Sequence, residues 1–168
     1  MREPTPAAPR RRRPLDPLAL AVMAVAAAAL VGMVAAQAWQ VFARYVLNDS
    51  PGWTEPVALL LMSVAVMLGA AIAVRRESHF AFNGLAHAAP APVQRALKAL
   101  SRIVALVVGL GLMVFGAQLT LDDWPVRLAG AGLPAGLRFT ALMVGGALIA
   151  VFAAERLLTG DYPTEAED

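Results

Sequence analysis

Four long segments of this sequence contain no Asp, Glu, Lys or Arg, and they constrain the fold more than any other feature. They run over residues 17–43, 56–74, 103–121 and 139–154. A helix needs about 20 apolar residues to cross the roughly 30 Å hydrocarbon core of a bilayer. The first three segments have about that length, and the fourth reaches it as residues 137–158 with Arg138 and Arg156 extending towards the headgroups. The sequence therefore predicts four transmembrane helices.

The composition favours an all-α integral membrane protein. Of the 168 residues, 59% are hydrophobic and only 15% are charged, whereas about a quarter of the residues in soluble domains are charged. The apolar runs are rich in Ala, Leu and Met, which favour helices, and they lack the alternation that is typical of transmembrane β-strands. The chain contains no Cys, which excludes disulfides and thiolate metal sites.

The first segment has a second interpretation, as a secretory signal. The basic run Arg10–Arg13 resembles the start of such a signal, and Ala36-Gln37-Ala38 resembles a cleavage site. However, the apolar run from Leu18 to Ala36 is 19 residues long, whereas the apolar part of a signal peptide has about 7 to 15. The run also continues into aromatic residues that are typical of the membrane interface. These features favour a spanning helix.

The distribution of Lys and Arg predicts the orientation in the membrane. The two ends of the chain and the connection between the second and third spans hold eleven of the 14 basic residues, and the other two connections hold three. Basic residues are enriched on the cytoplasmic side of membrane proteins. We therefore expect a multi-pass protein of the bacterial inner membrane with both termini in the cytoplasm. Because the basic residues follow this topology, they do not indicate nucleic-acid binding.

Three polar regions flank the membrane domain, which we assign to residues 15–158. Residues 1–14 combine four Pro with charges and predict a disordered basic arm that contacts anionic lipids. Residues 93–102 place apolar and basic side chains on separate helical faces, which predicts an amphipathic helix on the inner membrane surface. Residues 159–168 form an acidic tail.

The four charge-free segments hold none of the charged or histidine side chains that ion-coupled transporters and haem proteins place in the bilayer. Both histidines, His79 and His87, lie in the connection between the second and third spans. The polar residues within the spans are suited to hydrogen bonds between helices; they are Gln37, Gln40, Ser63, Gln118, Thr120 and Thr140. The sequence therefore predicts no enzymatic activity and no cofactor, in a protein that assists transport or chemistry carried out by another chain.

Two stretches carry a more specific pattern. They are residues 42–55, FARYVLNDSPGWTE, and residues 68–80, LGAAIAVRRESHF. Their order and spacing resemble the small membrane subunit, of the DctQ type, of tripartite ATP-independent periplasmic (TRAP) transporters. In that family an R-Y-V-hydrophobic-N motif ends the first helix, W-x-E opens the second, G-A-A ends it and a His follows in the inner connection. The chain departs from the pattern at Pro56 and Asn83, where family members commonly carry carboxylates.

The resemblance implies a partnership with two other proteins. A large membrane permease subunit would hold the substrate and sodium sites, and a periplasmic substrate-binding protein would deliver an organic anion. This chain would be a non-catalytic scaffold that braces the large subunit. The candidate partner-interface residues are Arg44, Tyr45, Trp53, Glu55, Gly69 and His79. Among them, Arg44 and Glu55 flank one short connection and are placed to form an ion pair.

Two alternatives from other classes stay open at this stage. In the first, the chain is the anchor or a subunit of a membrane enzyme, with His79, His87, Asp122 and Asp123 as ligands. The predicted orientation opposes this, because it places the histidines and the aspartates on different sides of the membrane. In the second, the chain is a freestanding four-helix exporter. Such a protein should carry a charge inside a span, and the four charge-free segments lack one.

Overall fold

The computed structural model describes residues 15–49, 51–76 and 91–159, and this part of the chain is built from helices. There are four, α1 Asp16–Val46, α2 Thr54–Arg76, α3 Ala91–Asp122 and α4 Leu137–Thr159. All four are long and apolar enough to cross a membrane, so the predicted fold class is confirmed. The predicted arm at residues 1–14, the tail after Thr159 and the inner connection with His79 and His87 lie outside the described residues.

Residues with restricted backbones mark where the helices begin and end. Pro17 lies in the first turn of α1, where its missing N–H needs no partner. Asn48 follows the end of α1 with φ at 52°, a left-handed conformation that Asn tolerates better than most residues. The N–H groups of Leu47 and Asp49 both donate to the carbonyl of Ala43, at 3.2 Å each. The chain then turns into α2, where the hydroxyl of Thr54 donates to the carbonyl of Pro51 at 2.8 Å.

The helices pack in the order α1, α2, α4, α3, as a row. Among the described residues, extensive contacts join α1 to α2, α2 to α4 and α4 to α3. The two central helices run in the same direction, since Arg75 near the end of α2 meets Glu155 near the end of α4. The outer helices of the row, α1 and α3, run in the opposite direction. Each of them has one main neighbour and turns a broad apolar face outwards.

The contact between α1 and α2 follows a narrow seam of small side chains on α1. Its buried members are spaced three and seven residues apart, at Ala19, Val22, Ala29, Ala36 and Ala43. This heptad spacing is typical of helices that cross at about 20°. The small side chains allow the two backbones to approach closely, which favours association between helices in a bilayer.

Glycines bring α4 close to both of its neighbours. A Cβ atom added at Gly146 would lie 2.6 Å from the backbone nitrogen of Met113 in α3, and one at Gly116 would lie 2.6 Å from that of Met143. On the opposite side, a Cβ at Gly145 would lie 2.6 Å from the Cβ of Met67 in α2. Gly145 and Gly146 therefore let two helices pack on α4 at one level.

The helix α3 is continuous through the boundary between the predicted amphipathic helix and the third span. It begins at Ala91 and continues without interruption to Asp122. No Gly or Pro occurs from residue 94 to residue 108, so nothing in the sequence breaks the helix at that boundary. At about 1.5 Å per residue its 32 residues extend about 48 Å, which exceeds the hydrocarbon thickness. The position of residues 93–102 at the membrane surface stays a prediction.

Candidate functional site

A cluster of charged side chains ties three helices together at one end of the row, which we call the inner end because the basic residues predict that it faces the cytoplasm. The guanidinium of Arg75 in α2 donates to Asp16 Oδ1 at the start of α1, at 2.8 Å. Its Nε atom donates to Glu155 Oε2 near the end of α4, at 3.0 Å. The side chains of Arg75 and Glu155 are only 14% and 7% exposed.

A second arginine, Arg156, also joins α4 to α2 at this end of the row. The Nε atom of Arg156 donates to the backbone carbonyl of Arg75 at 2.7 Å. This carbonyl lies in the last turn of α2, where the helix offers it no N–H partner. The Arg75 guanidinium also lies 5.5 Å from the centre of the Phe152 ring, within the range of a cation–π interaction. Phe152 is fully buried.

The prediction that Arg156 extends towards the headgroups is therefore wrong. Arg156 is 4% exposed and lies inside the cluster. The physical reason is the carbonyl of Arg75, which provides an acceptor for a donor on the neighbouring helix. No role was predicted for Arg75 from the sequence. A signal was present, because Asp16, Arg75 and Glu155 each border an apolar segment at the same predicted membrane face.

At the outer end of the row, the connection between α3 and α4 is ordered by its own hydrogen bonds. The N–H of Ala135 donates to Val126 at 2.7 Å, and the N–H of Leu128 donates to Leu133 at 2.8 Å, which forms a short hairpin. At its tip, Gly130 meets Gly52 of the connection between α1 and α2. The two outer connections therefore support each other.

Two ionisable residues at this outer end border a cleft of about 270 Å³, Glu55 of α2 and Arg138 of α4. Arg138 forms an ion pair with Asp123 at 2.9 Å, and both side chains are partly exposed. An exposed pair of this kind contributes about 1 kcal/mol or less to stability. Asp123, one of the metal ligands considered for a membrane enzyme, is thus paired with a cation.

The described candidate interface residues are accessible on the surface of the row. Arg44, Tyr45, Trp53, Glu55 and Gly69 are all exposed. Apart from the backbone of its own helix, no atom of the described residues lies within 4 Å of a Cβ added at Gly69, so a partner helix has room to approach there. Within the described residues, Arg44 and Glu55 do not form the ion pair that their sequence positions allow. Position 79 is outside the described residues.

The hydroxyl groups in the spans bind within their own helices and not across them. Ser63 donates to Leu59 at 2.9 Å, Thr120 to Gly116 at 2.7 Å and Thr140 to Leu137 at 2.7 Å. The expected hydrogen bonds between helices are therefore not made by these three side chains. The row is held by close packing in the middle and by charged groups at its inner end.

Comparison with known families assigns the chain to a class that this architecture fits. Residues 33–161 match the family model described as "Tripartite ATP-independent periplasmic transporters, DctQ component", and the chain belongs to this family. It is also similar to the sialic acid TRAP transporter small permease protein SiaQ of Vibrio cholerae serotype O1. The two are 28% identical over 129 residues, which cover 76% of this chain and 74% of the relative.

Membership of this family establishes the general role of the protein. TRAP small permease subunits are components of transport systems and not enzymes, so the interpretation as a membrane enzyme is set aside. The family and the four helices together define a multi-pass protein of the inner membrane. The resemblance carried by residues 42–55 and 68–80 is confirmed, because the family match includes both stretches.

Proposed function

We propose that the protein is the small scaffold subunit of a sodium-driven uptake system for an organic anion such as a carboxylate. In this system a periplasmic binding protein delivers the substrate, and a large permease subunit carries it across the membrane. The small subunit braces the large one and takes no part in binding the substrate or sodium.

The observation that best supports this function is the separation of charge from the middle of the row. The Arg75 cluster lies at the inner end and the Asp123–Arg138 pair at the outer end. Between them, the described helices pack through Ala, Gly and large apolar side chains. An anion or a sodium ion that crosses the bilayer needs polar partners at that depth, and another subunit is suited to supply them.

We infer that the exposed candidate residues contact the large subunit, and we place His79 in the same role. Arg44 and Glu55 are exposed charges without an ion-pair partner among the described residues, and a partner protein can supply one. We also infer that residues 93–102, as the first turns of the continuous helix α3, reach the inner membrane surface with their basic side chains, and that the basic arm binds anionic lipids. Both termini are then cytoplasmic.

Reconstitution into liposomes tests this function. The chain is incorporated alone, with the large permease subunit of the same organism, and with that subunit plus its binding protein. Uptake of labelled carboxylates should require all three proteins and an inward sodium gradient. Sialic acid is the first compound to test, because it appears in the name of the relative. Uptake by this chain alone would refute the scaffold role, and full uptake without sodium would refute the proposed coupling ion.

A further inference from the structure

The outer cleft that Glu55 and Arg138 border lies where the apolar part of the row begins. These two residues immediately precede the charge-free segments 56–74 and 139–154. Because α2 and α4 run in the same direction, their outer ends lie side by side, and both residues line one cleft of about 270 Å³. Lipid headgroups occupy this boundary between the apolar and the charged parts of a membrane protein. The cleft is therefore at the level of the headgroups.

The guanidinium of Arg138 is held in place and keeps hydrogen-bond donors for a ligand. Its Nη2 atom donates to Asp123 Oδ2 at 2.9 Å, and its Cζ atom lies 4.8 Å from the centre of the Phe139 ring, within the range of a cation–π interaction. A guanidinium carries five N–H donors, and the others have no acceptor among the described residues. The side chain is half-exposed. It is therefore suited to bind a phosphate, whose oxygens match the guanidinium fork.

The carboxylate of Glu55 is the second charged group of the cleft. Within residues 15–49, 51–76 and 91–159, its side chain forms no ion pair and no hydrogen bond. In particular, it does not pair with Arg138, although both residues line the same cleft. The cleft thus presents two separate charges of opposite sign.

These charges favour a ligand that itself carries both signs. With Asp123 beside Arg138, the cleft and its rim hold two carboxylates and one guanidinium. A ligand with negative charge alone would face two like charges, which is unfavourable. A ligand that joins a phosphate to an ammonium group through a short linker would match the arrangement, with the phosphate at Arg138 and the ammonium group at Glu55.

An apolar stripe leads from the cleft along α2. Leu59 lines the cleft, and Leu59, Met62 and Val66 are each 50% to 57% exposed. Their spacing of three and four residues places them on one helical face. The cleft itself is smaller than the pockets of about 300 to 1,000 Å³ that enclose drug-sized ligands. It therefore fits a headgroup, while the stripe offers a surface to acyl chains.

We propose that this cleft binds the headgroup of an aminophospholipid such as phosphatidylethanolamine from the outer leaflet of the membrane. Arg138 binds the phosphate, Glu55 binds the primary ammonium group, and the acyl chains lie along the apolar stripe of α2. The site goes beyond the scaffold function and does not depend on it, because the residues that form it all belong to this chain. A carboxylate has two oxygens, so Glu55 is able to contact the large subunit at the same time.

Native mass spectrometry of the full chain in a mild detergent tests this site. Two lipids with the same acyl chains are added in turn, phosphatidylethanolamine and phosphatidylglycerol, which carries the phosphate without the ammonium group. We expect phosphatidylethanolamine to bind about fivefold more tightly, the effect of a single exposed ion pair. Glu55→Gln should remove this preference. Arg138→Gln should weaken the binding of both lipids, whereas Arg138→Lys should keep part of it because the charge remains.

Two matched controls separate this site from general attraction between lipids and charged side chains. Asp122→Asn and Arg44→Gln each remove an exposed charge that does not line the cleft, and both should bind the two lipids as the wild type does. Because the substituted side chains are exposed or half-exposed, the melting temperature should stay within a few degrees in every variant. Binding is thereby distinguished from folding.

A soluble headgroup identifies the source of the ligand. Glycerophosphoethanolamine should compete with phosphatidylethanolamine at least about tenfold more weakly than the lipid itself, because it has no acyl chains to cover the apolar stripe. Equally strong competition would overturn a membrane lipid as the ligand. Equal binding of the two lipids by the wild type, or an unchanged preference in Glu55→Gln, would overturn the site. The same holds if Arg44→Gln weakens binding as much as Arg138→Gln does.

Discussion

Arg156 donates a hydrogen bond to the backbone of Arg75, and the preceding residue, Glu155, binds the side chain of the same arginine. Its Nε atom lies 2.7 Å from the carbonyl oxygen of Arg75, while Glu155 accepts a 3.0 Å hydrogen bond from the Arg75 side chain. Two consecutive residues of α4 therefore grip one residue of α2 through its main chain and its side chain. Asp16 extends this arrangement to α1, so that one arginine sets the relative level of three helices.

Removal of the Arg75 charge should destabilise the protein more than removal of a neighbouring charge. In Arg75→Gln, the carboxylate of Glu155 stays buried and loses its cation, and breaking a buried pair in this way costs about 3 to 5 kcal/mol. Arg76→Gln is the matched control, because Arg76 is exposed and its described polar contact is to the sulfur of Met23. Unfolding of the purified protein in mixed detergent and SDS measures the difference.

The lysine variant refines this test. Arg75→Lys keeps the charge, but a single ammonium group does not reproduce the fork that reaches Asp16 and Glu155 together. We expect its stability to lie between those of the wild type and Arg75→Gln. Equal stability of Arg75→Gln and Arg76→Gln would show that the cluster does not hold the row together.

Alanine substitutions at two glycines should have opposite effects. In Gly146→Ala, the new Cβ atom would lie 2.6 Å from the nitrogen of Met113 and 2.8 Å from the carbonyl oxygen of Gly109. The backbones must separate, and overpacking of this kind costs about 1 to 3 kcal/mol. In Gly111→Ala, the new Cβ atom meets no atom of another described element within 4 Å, and the change should stabilise α3 by about 0.5 to 1 kcal/mol through helix propensity. Detergent unfolding measures both, and a destabilised Gly111→Ala would contradict the described packing.

The outer hairpin offers a comparison between two glycines with similar backbones. Gly130 and Gly132 have φ values of 83° and 63°, so alanine at either position costs about 1 kcal/mol or more. At Gly130 the new Cβ would also overlap the carbonyl oxygen of Gly52, whereas at Gly132 it meets open space. Gly130→Ala should therefore increase protease cleavage in the outer connections more than Gly132→Ala does. Equal cleavage would show that the two connections do not depend on each other.

Reporter fusions test the predicted orientation. A reporter that is active only in the cytoplasm should be active after Asp168 and inactive when it is inserted between Gly130 and Gly136, because the basic residues concentrate on the side of the termini. A reporter that is active only in the periplasm should give the reverse pattern. A periplasmic position after Asp168 would reverse the assignment of the inner and outer ends.

The four helices were predictable because each depends only on consecutive residues of the sequence and not on contacts between distant ones. Absence of charge over about 20 residues is visible in the sequence and is required by the bilayer. The order of packing was not predictable, because the Ala-rich seam of α1 does not specify which helix it faces. The role of Arg75 was hidden for a related reason, since its partners lie 59 and 80 residues away along the chain.

Four of the interface candidates could be placed at the outer end from the sequence, because they belong to the family motif between the first two spans; they are Arg44, Tyr45, Trp53 and Glu55. Their contact with a partner stays a prediction. The sequence did not show that Arg44 and Glu55 would fail to pair among the described residues, because this depends on the relative lengths of α1 and α2. The α1 helix continues past the start of α2, so that the two charges differ in height by several residues. Sequence proximity across a short connection therefore suggested a pair that the level of the helices does not favour.

The order of the row has a consequence for how the protein is made. The ribosome completes α3 before α4, yet α3 has α4 as its main neighbour within the chain. The α1–α2 hairpin can associate as soon as both of its helices have entered the membrane, but α3 must wait in lipid without its partner until α4 is inserted. Truncation before α4 should therefore leave a paired hairpin and a solitary third helix, which quality-control proteases in the membrane can recognise.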